Sequence, residues 1–246
     1  MSKMNIMNYK VFINELEGID VTKRQVVNTI NPHSYVTAKR DKLFHEALIS
    51  SDILIPDGSG IVFAAKQLYS KNIKKIAGYN LHDYLLNKMN MKGGKVFYMG
   101  ASEKTLNIIK KKIKNEYPNI EVEAYSPPYK DDFTEEENSV IIEKINAFNP
   151  DVLFVGMTAP KQEKWLHKNK DQLKFTIASS IGAVFDFYAE VVPRPSDFWV
   201  DLHLEWLVRF LAEPKRLWKR NFVSTPKFIF DVLLFRLDAK KHISYQ

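Results

Sequence analysis

Cysteine is absent from the 246 residues, so disulfides and thiolate-ligated metals are excluded and a reducing, cytoplasmic setting is compatible. No stretch reaches about 18 uninterrupted apolar residues, which argues against a spanning helix. The first residues, Met1 to Lys10, are polar and lack the apolar h-region of a secretory signal. No run reads Gly-x-x-x-x-Gly-Lys-Ser/Thr, so there is no P-loop. The histidines (His33, His45, His82, His167, His203, His242) are scattered without the spacing of a metal site. No Asp-x-Asp follows an apolar strand, so a metal-bridged diphosphate has little support, and Asp131-Asp132 reads as a solvated turn.

What is present is an ordinary globular composition, 45% hydrophobic and 26% charged, in a chain long enough to bury a real core. The net charge of +7 is unevenly placed. From Arg209 to Gln246 nine Lys/Arg stand against three acids, which is +6 of that total and leaves the preceding body nearly neutral. A partner for this tail is anionic.

The pattern along the chain alternates strands with helices. Strands are expected near Lys10–Asn14, Gln25–Asn31, Ser51–Ile55, Lys95–Gly100, Ile120–Ala124, Asp151–Gly156 and Phe175–Ser179. Between them one amphipathic helix is expected over Ser34–Ser50, with Val36, Leu43, Ala47 and Leu48 inward, followed by helices over 60–70, through Leu81 and Met89, from Ser102 to Lys114, over Glu135–Phe148 and over Lys161–Lys168. This alternation predicts an α/β fold, a Rossmann-like, mostly parallel sheet with flanking helices. Past Arg194-Pro195 the strand pattern stops, three of the four tryptophans appear, and helices near 201–212, 214–222 and 226–237 are expected, broken by Pro214 and Pro226. The boundary is placed at Pro195, giving an α/β catalytic domain over 1–195 and a basic, aromatic-rich helical appendage over 196–246.

Carboxyl ends of parallel strands face the ligand crevice, which gathers Thr29, Asn31, Asp57, Gly100, Gln162 and Asp186 as candidates. Asp57 is held between stiff Pro56 and permissive Gly58. Gly100 also fits an ordinary turn, and Asp186, between Phe185 and Phe187, also fits a cap or a buried pair. The stretch Gly156 to Trp165 puts a strand end, a Pro-started helix, Gln162 and Glu163 at one point, suited to a nucleobase, ribose or phosphate, or simply a capped helix. The third glycine of a dinucleotide fingerprint would fall at Phe63, which weakens a Rossmann-type oxidoreductase. A nucleic-acid-binding protein would explain the basic and aromatic tail yet leave Asp57 without purpose, so no nucleic acid is expected as partner. The tail interleaves its cations with Phe210, Trp218, Phe222, Phe228, Phe230, Phe235 and Tyr245, as amphipathic helices on anionic bilayers do; an oligomer interface or a helix pair packed on the body is the alternative.

Several segments together resemble the WecG/TagA/CpsF family of bacterial glycosyltransferases. They are Asn28-Thr29-Ile30-Asn31-Pro32, Ile55 to Gly60, Ser126-Pro127-Pro128-Tyr129, Val155-Gly156 through Pro160-Lys161-Gln162-Glu163, Gly182 to Phe187, and Leu204-Glu205-Trp206-Leu207 with Glu213-Pro214-Lys215-Arg216. The resemblance implies a membrane-associated inverting transferase, peripheral on the inner face of the cell membrane. It would move a sugar, N-acetylmannosamine-like or a related hexose, from a UDP-sugar to a polyprenyl-diphosphate-linked saccharide without a metal or cofactor. It further implies that Asp57 is the general base, with Thr29 its companion in catalysis and Asn31 a sugar or acceptor contact. Gln162 and Asp186 would contact the donor, with Lys75 and Gly100 in the same substrate site. Arg209, Arg216, Lys219 and Arg220 would meet the diphosphates. Four positions depart from the family pattern: Lys75 stands in place of Arg, keeping the charge but losing the planar fork, Asn80 in place of Asp, Glu190 in place of Gly, and His203 where Gly is common.

Overall fold

The computed structural model describes residues 2–192, 199 and 205–243, with the backbone alone for Glu205, Trp206, Arg209, Ala212, Arg216 and 238–243. The expected boundary at Pro195, and His203, lie outside the described residues. The strands are β1 (Lys3–Ile6), β2 (Tyr9–Phe12), β3 (Gln25–Ile30), β4 (Ile53–Pro56), β5 (Lys95–Gly100), β6 (Glu121–Tyr125), β7 (Val152–Gly156) and β8 (Ile177–Ser180). They form one sheet in the order β1-β2-β4-β3-β8-β7-β5-β6, parallel except at the β1–β2 hairpin. That hairpin was not expected from sequence. Its turn places Met7 and Asn8 at φ 50° and 70°, the two positive values a tight two-residue connection needs, without the Asn-Gly that signals one.

The helices are α1 (Pro32–Ala38), α2 (Lys42–Ile49), α3 (Ser59–Tyr69), α4 (Gly78–Lys92), α5 (Glu103–Glu116), α6 (Glu135–Phe148), α7 (Lys161–Asn169) and α8 (Gly182–Tyr188). Their apolar faces divide between the two sides of the sheet. Leu81, Leu85, Leu106, Ile109, Val184 and Phe185 of α4, α5 and α8 share one core with Val27, Ile55, Tyr98 and Phe154. On the other side Tyr35, Phe44, Ile61 and Ala64 of α1–α3 cover Ile30 and Leu54, while Ile141, Ile145 and Leu166 of α6 and α7 cover Met99, Val155 and Ala178. This is an α/β architecture with a mostly parallel sheet flanked by helices, and among the described residues no helix is long and apolar enough to cross a membrane.

The single helix expected over Ser34–Ser50 is two. Asp41 leaves helical geometry (φ −124°, ψ 98°) and its carboxylate accepts the Phe44 N–H at 2.9 Å, capping a second helix. The new start rotates the apolar face, so Phe44 is buried while Leu43 is only half-buried. Past the undescribed stretch come α9 (Glu205–Ala212), α10 (Pro214–Trp218), a π-helical turn over Lys219–Ser224, and α11 (Thr225–Ile243). The break expected at Pro226 does not occur: the π-helical turn runs into α11 with no non-helical residue between them.

Helix α11 lies on α1 and α3. Phe228 and Val232 are fully buried in their core, Phe228 meets the Tyr35 ring edge-on at 5.2 Å, and Lys39 pairs with Asp231 at 2.7 Å. The C-terminal helix is therefore packed on the body along one side. Its other side exposes Ile229, Phe230, Leu233, Leu234 and Leu237.

Candidate active site

Adjacent parallel strands whose outgoing helices go to opposite faces leave a crevice at their carboxyl ends. Several neighbouring strand pairs here meet that condition, and two of them bear first on the candidate residues. Strand β3 feeds α1 on one face while its neighbour β8 feeds α8 on the other; β7 and β5 diverge likewise through α7 and α5.

At the first crevice the β3–β4 ladder continues past the strands. The Asp57 N–H donates to the Ile30 carbonyl at 2.9 Å, and Thr29 pairs in register with Ile55. Side-chain alternation then puts Thr29 and Asp57 on one side, two residues apart on neighbouring strands. Asn31 caps α1: its Oδ1 accepts the N–H groups of His33 and Ser34, both at 3.0 Å. That leaves its Nδ2 for Asp57 Oδ2, at 3.5 Å. Lys75 reaches the same edge through the backbone, since the N–H of Ile76 donates to the Pro56 carbonyl at 3.0 Å.

The glycines around Asp57 have separate reasons. Gly58 holds φ +87°, in the left-handed region. Gly60 permits close approach, because a Cβ there would lie 2.3 Å from Pro32 Cγ. The Gly-Ser-Gly sequence thus serves a turn and a helix seam.

Beside this edge, Gln162 and Gly182 join the ends of β7 and β8. Gln162 Oε1 accepts the Met157 N–H at 3.2 Å and the Gly182 N–H at 2.9 Å, and its Nε2 donates to Glu163 Oε1 at 2.8 Å. The side chain expected to contact a donor thus already braces the start of α8, the helix that carries half-buried Asp186. Burial pushes the Glu163 carboxyl up to about 7, against the lowering effect of the Gln162 bond, and its Oε2 finds no hydrogen-bond partner among the described residues.

At the second crevice Gly100 (φ +118°) pairs with Gly156, and a Cβ on Gly100 would lie 2.2 Å from the Gly156 carbonyl oxygen. Close backbone approach alone accounts for this glycine.

Of the tail cations, Lys219 and Arg220 lie in the π-helical turn, and Arg209 and Arg216 belong to α9 and α10 with side chains outside the described part. The turn meets the first crevice at His33, whose Nδ1 is 2.8 Å from Ser224 Oγ. Burial first, then the Arg220 and Lys219 cations, hold the His33 pKa below its ordinary value. The structure therefore brings Thr29, Asn31, Asp57 and Lys75 to one edge with Lys219 and Arg220 near it. Gln162 and the start of Asp186's helix stand at the adjoining strand end, and Gly100 lies one crevice further along.

Two functional candidates were missed in the sequence. His33 counted there only as one of six scattered histidines, although its place right after the Asn31-Pro32 helix start was a signal. Ser224 carried no signal at all. Asn80, one of the departures noted above, accepts the Ala77 N–H at 3.1 Å and so caps α4, a role Asn and Asp share.

Residues 2–242 match the family described as "Glycosyl transferase WecG/TagA/CpsF family". The chain is 33% identical over 238 residues to an N-acetylglucosaminyldiphosphoundecaprenol N-acetyl-beta-D-mannosaminyltransferase of Bacillus spizizenii, covering 96% of this chain and 90% of that protein. It is 33% identical over 228 residues to the enzyme of the same name in Bacillus subtilis (92% and 86% covered), and 26% identical over 220 residues to that of Staphylococcus aureus (89% and 84%). Nothing in these likenesses supports an oxidoreductase or a nucleic-acid-binding protein. With the match running from β1 to the end of α11 and including the Asp57 edge, the chain belongs to the WecG/TagA/CpsF family of glycosyltransferases.

Proposed function

We propose that this glycosyltransferase moves an N-acetylmannosamine-like hexose from a UDP-sugar to a polyprenyl-diphosphate-linked saccharide, with inversion and without a metal, in cell-surface polymer synthesis. The activity named for the relatives supports the acceptor class and the sugar. The observation that carries the mechanism is Asp57, a half-buried carboxylate at the carboxyl edge of the sheet with the Asn31 amide at 3.5 Å. Asp57 takes the proton of the acceptor hydroxyl as its oxygen bonds to the anomeric carbon. The bond to UDP breaks on the opposite face, and its electron pair leaves on the UDP phosphate oxygen. A placed general base contributes on the order of 10²–10⁴ in rate. Lys75, Lys219 and Arg220, with Arg209 and Arg216 of the same tail, are proposed to stabilise the charge on the diphosphates. Thr29 and Asn31 are proposed to orient the sugar or acceptor, and Gln162, Asp186 and Gly100 to shape the donor side.

Residues 196–246 are proposed as an appendage that rests on the anionic inner face of the cell membrane. The exposed Phe230, Leu233, Leu234 and Leu237 stripe on α11, with Lys227 and Arg236 beside it, supports this reading.

Asp57→Asn keeps the shape and removes the base. Transfer from UDP-N-acetylmannosamine to a lipid-linked acceptor falls by at least about 100-fold while UDP binding is retained. Near-normal turnover in this variant would refute the assignment.

A further inference from the structure

We propose that His33 is a positioning residue for the Asp57 base, tying the π-helical turn of the C-terminal segment to the Asn31 side chain that meets the Asp57 carboxylate. The inference rests on the reading of Asp57 as base. It begins with the orientation of one amide. Asn31 Oδ1 is committed to the N–H groups of His33 and Ser34, at 3.0 Å each, and this turns Nδ2 toward Asp57. The backbone of His33 is thus one of two points that hold the Asn31 side chain.

The ring of His33 is itself held from the other end of the chain. Its Nδ1 lies 2.8 Å from Ser224 Oγ across 191 residues of sequence, and Ser224 is buried. Thr225 Oγ1 donates to the Arg220 carbonyl at 3.1 Å, closing the same turn. A second contact grips the neighbouring residue: a Cβ on Gly60 would lie 2.3 Å from Pro32 Cγ and 3.5 Å from the Phe228 ring, so Pro32, α3 and α11 meet at one point. Asn31-Pro32-His33 is therefore clasped by the segment that carries Lys219 and Arg220. Burial and those two cations keep the imidazole neutral near pH 7, which preserves a hydrogen bond to the serine hydroxyl in either direction.

The consequence is that docking of the C-terminal segment and geometry of the base form one unit. A segment that undocks takes its cations away and also loosens the side chain that orients the Asp57 carboxylate.

The test uses the full chain with Ser224→Ala, His33→Ala, the double variant and His33→Asn, whose side-chain amide occupies the position of Nδ1. Loss of one buried hydrogen bond of about 1.4 kcal/mol corresponds to about tenfold, so each alanine variant lowers kcat about tenfold with KM for the UDP-sugar unchanged. The double variant is no slower than either single one, because both break the same link. His33→Asn recovers most of the lost kcat. Backbone amide exchange at Asn31, His33 and Ser34 becomes faster in the alanine variants and returns toward the parent rate in His33→Asn. Unchanged kcat and exchange in both alanine variants, additive losses in the double variant, or a His33→Asn no better than His33→Ala would overturn the proposal. A parent chain that transfers no sugar would refute the functional reading instead, and amide exchange would still decide whether the link exists.

Discussion

Glu163 makes the stability of this protein depend on pH in a direction opposite to that of most carboxylates. It sits in the first turn of α7 and is buried, with one oxygen bonded to Gln162 and the other unpartnered among the described residues. Burial penalises the charged form and raises its pKa from 4.5 to about 7. Below pH 4.5 the folded and unfolded chains both carry the proton, and Glu163 imposes no penalty. Between pH 4.5 and about 7 the unfolded chain has released the proton and the folded one has not, so unfolding is favoured more with each step upward. Above about 7 both are ionised and the loss is complete. That gap, at about 1.4 kcal/mol per pH unit, amounts to about 3 kcal/mol. Glu163→Gln remains neutral throughout and can still accept from Gln162. In equilibrium urea unfolding at a series of pH values, the stability of Glu163→Gln relative to the parent rises by about 3 kcal/mol from pH 4.5 to 7.5 and then levels off. All other titrating groups cancel in that difference. A difference that stays flat within about 0.5 kcal/mol across the series would refute the reasoning. The result bears on the site because Glu163 holds Gln162, and Gln162 holds the ends of β7 and α8 together.

Two further outcomes follow from contacts already described. Gly60→Ala drives a methyl into Pro32 at 2.3 Å, and thermal unfolding should record a loss of about 1–3 kcal/mol, with a lower kcat because Pro32 adjoins Asn31. Combined Phe230→Ser, Leu234→Ser and Leu237→Ser alter only exposed side chains of α11, so the melting temperature holds while flotation with anionic vesicles is lost; unchanged flotation would contradict the membrane reading.

Much of the fold was legible because period and punctuation agree locally. Strands β4, β5 and β7 are apolar runs ended by Pro or Gly, β6 alternates Glu121 and Glu123 with apolar residues as an edge strand does, and the 3.6-residue pattern marked α3, α4, α5 and α6 close to their observed bounds. The errors have physical causes. A capping Asp inside a periodic stretch split one expected helix at Asp41, and nothing in the local sequence distinguishes a cap from an exposed acid on a continuing helix. Met7 at positive φ is tolerated because it is buried by tertiary contacts, so the β1–β2 hairpin had no turn signature. Pro226 reads as the start of a separate helix, and the π-helical turn before it joins that helix to the preceding one without a break.

By itself the sequence determined that this chain is a strand–helix alternation carrying Asp57 at a strand end, with a basic, aromatic tail; local periodicity, turn chemistry and charge placement suffice for that. Only the tertiary structure decided that the tail packs on α1 and α3 through Phe228 and Val232, that Gln162 is already engaged with Gly182, and that His33 joins Ser224 beside the Asn31–Asp57 pair. These contacts join residues far apart in the chain. Which side chain meets which across such a distance depends on sheet order and helix packing, and neither is written in any local run of residues.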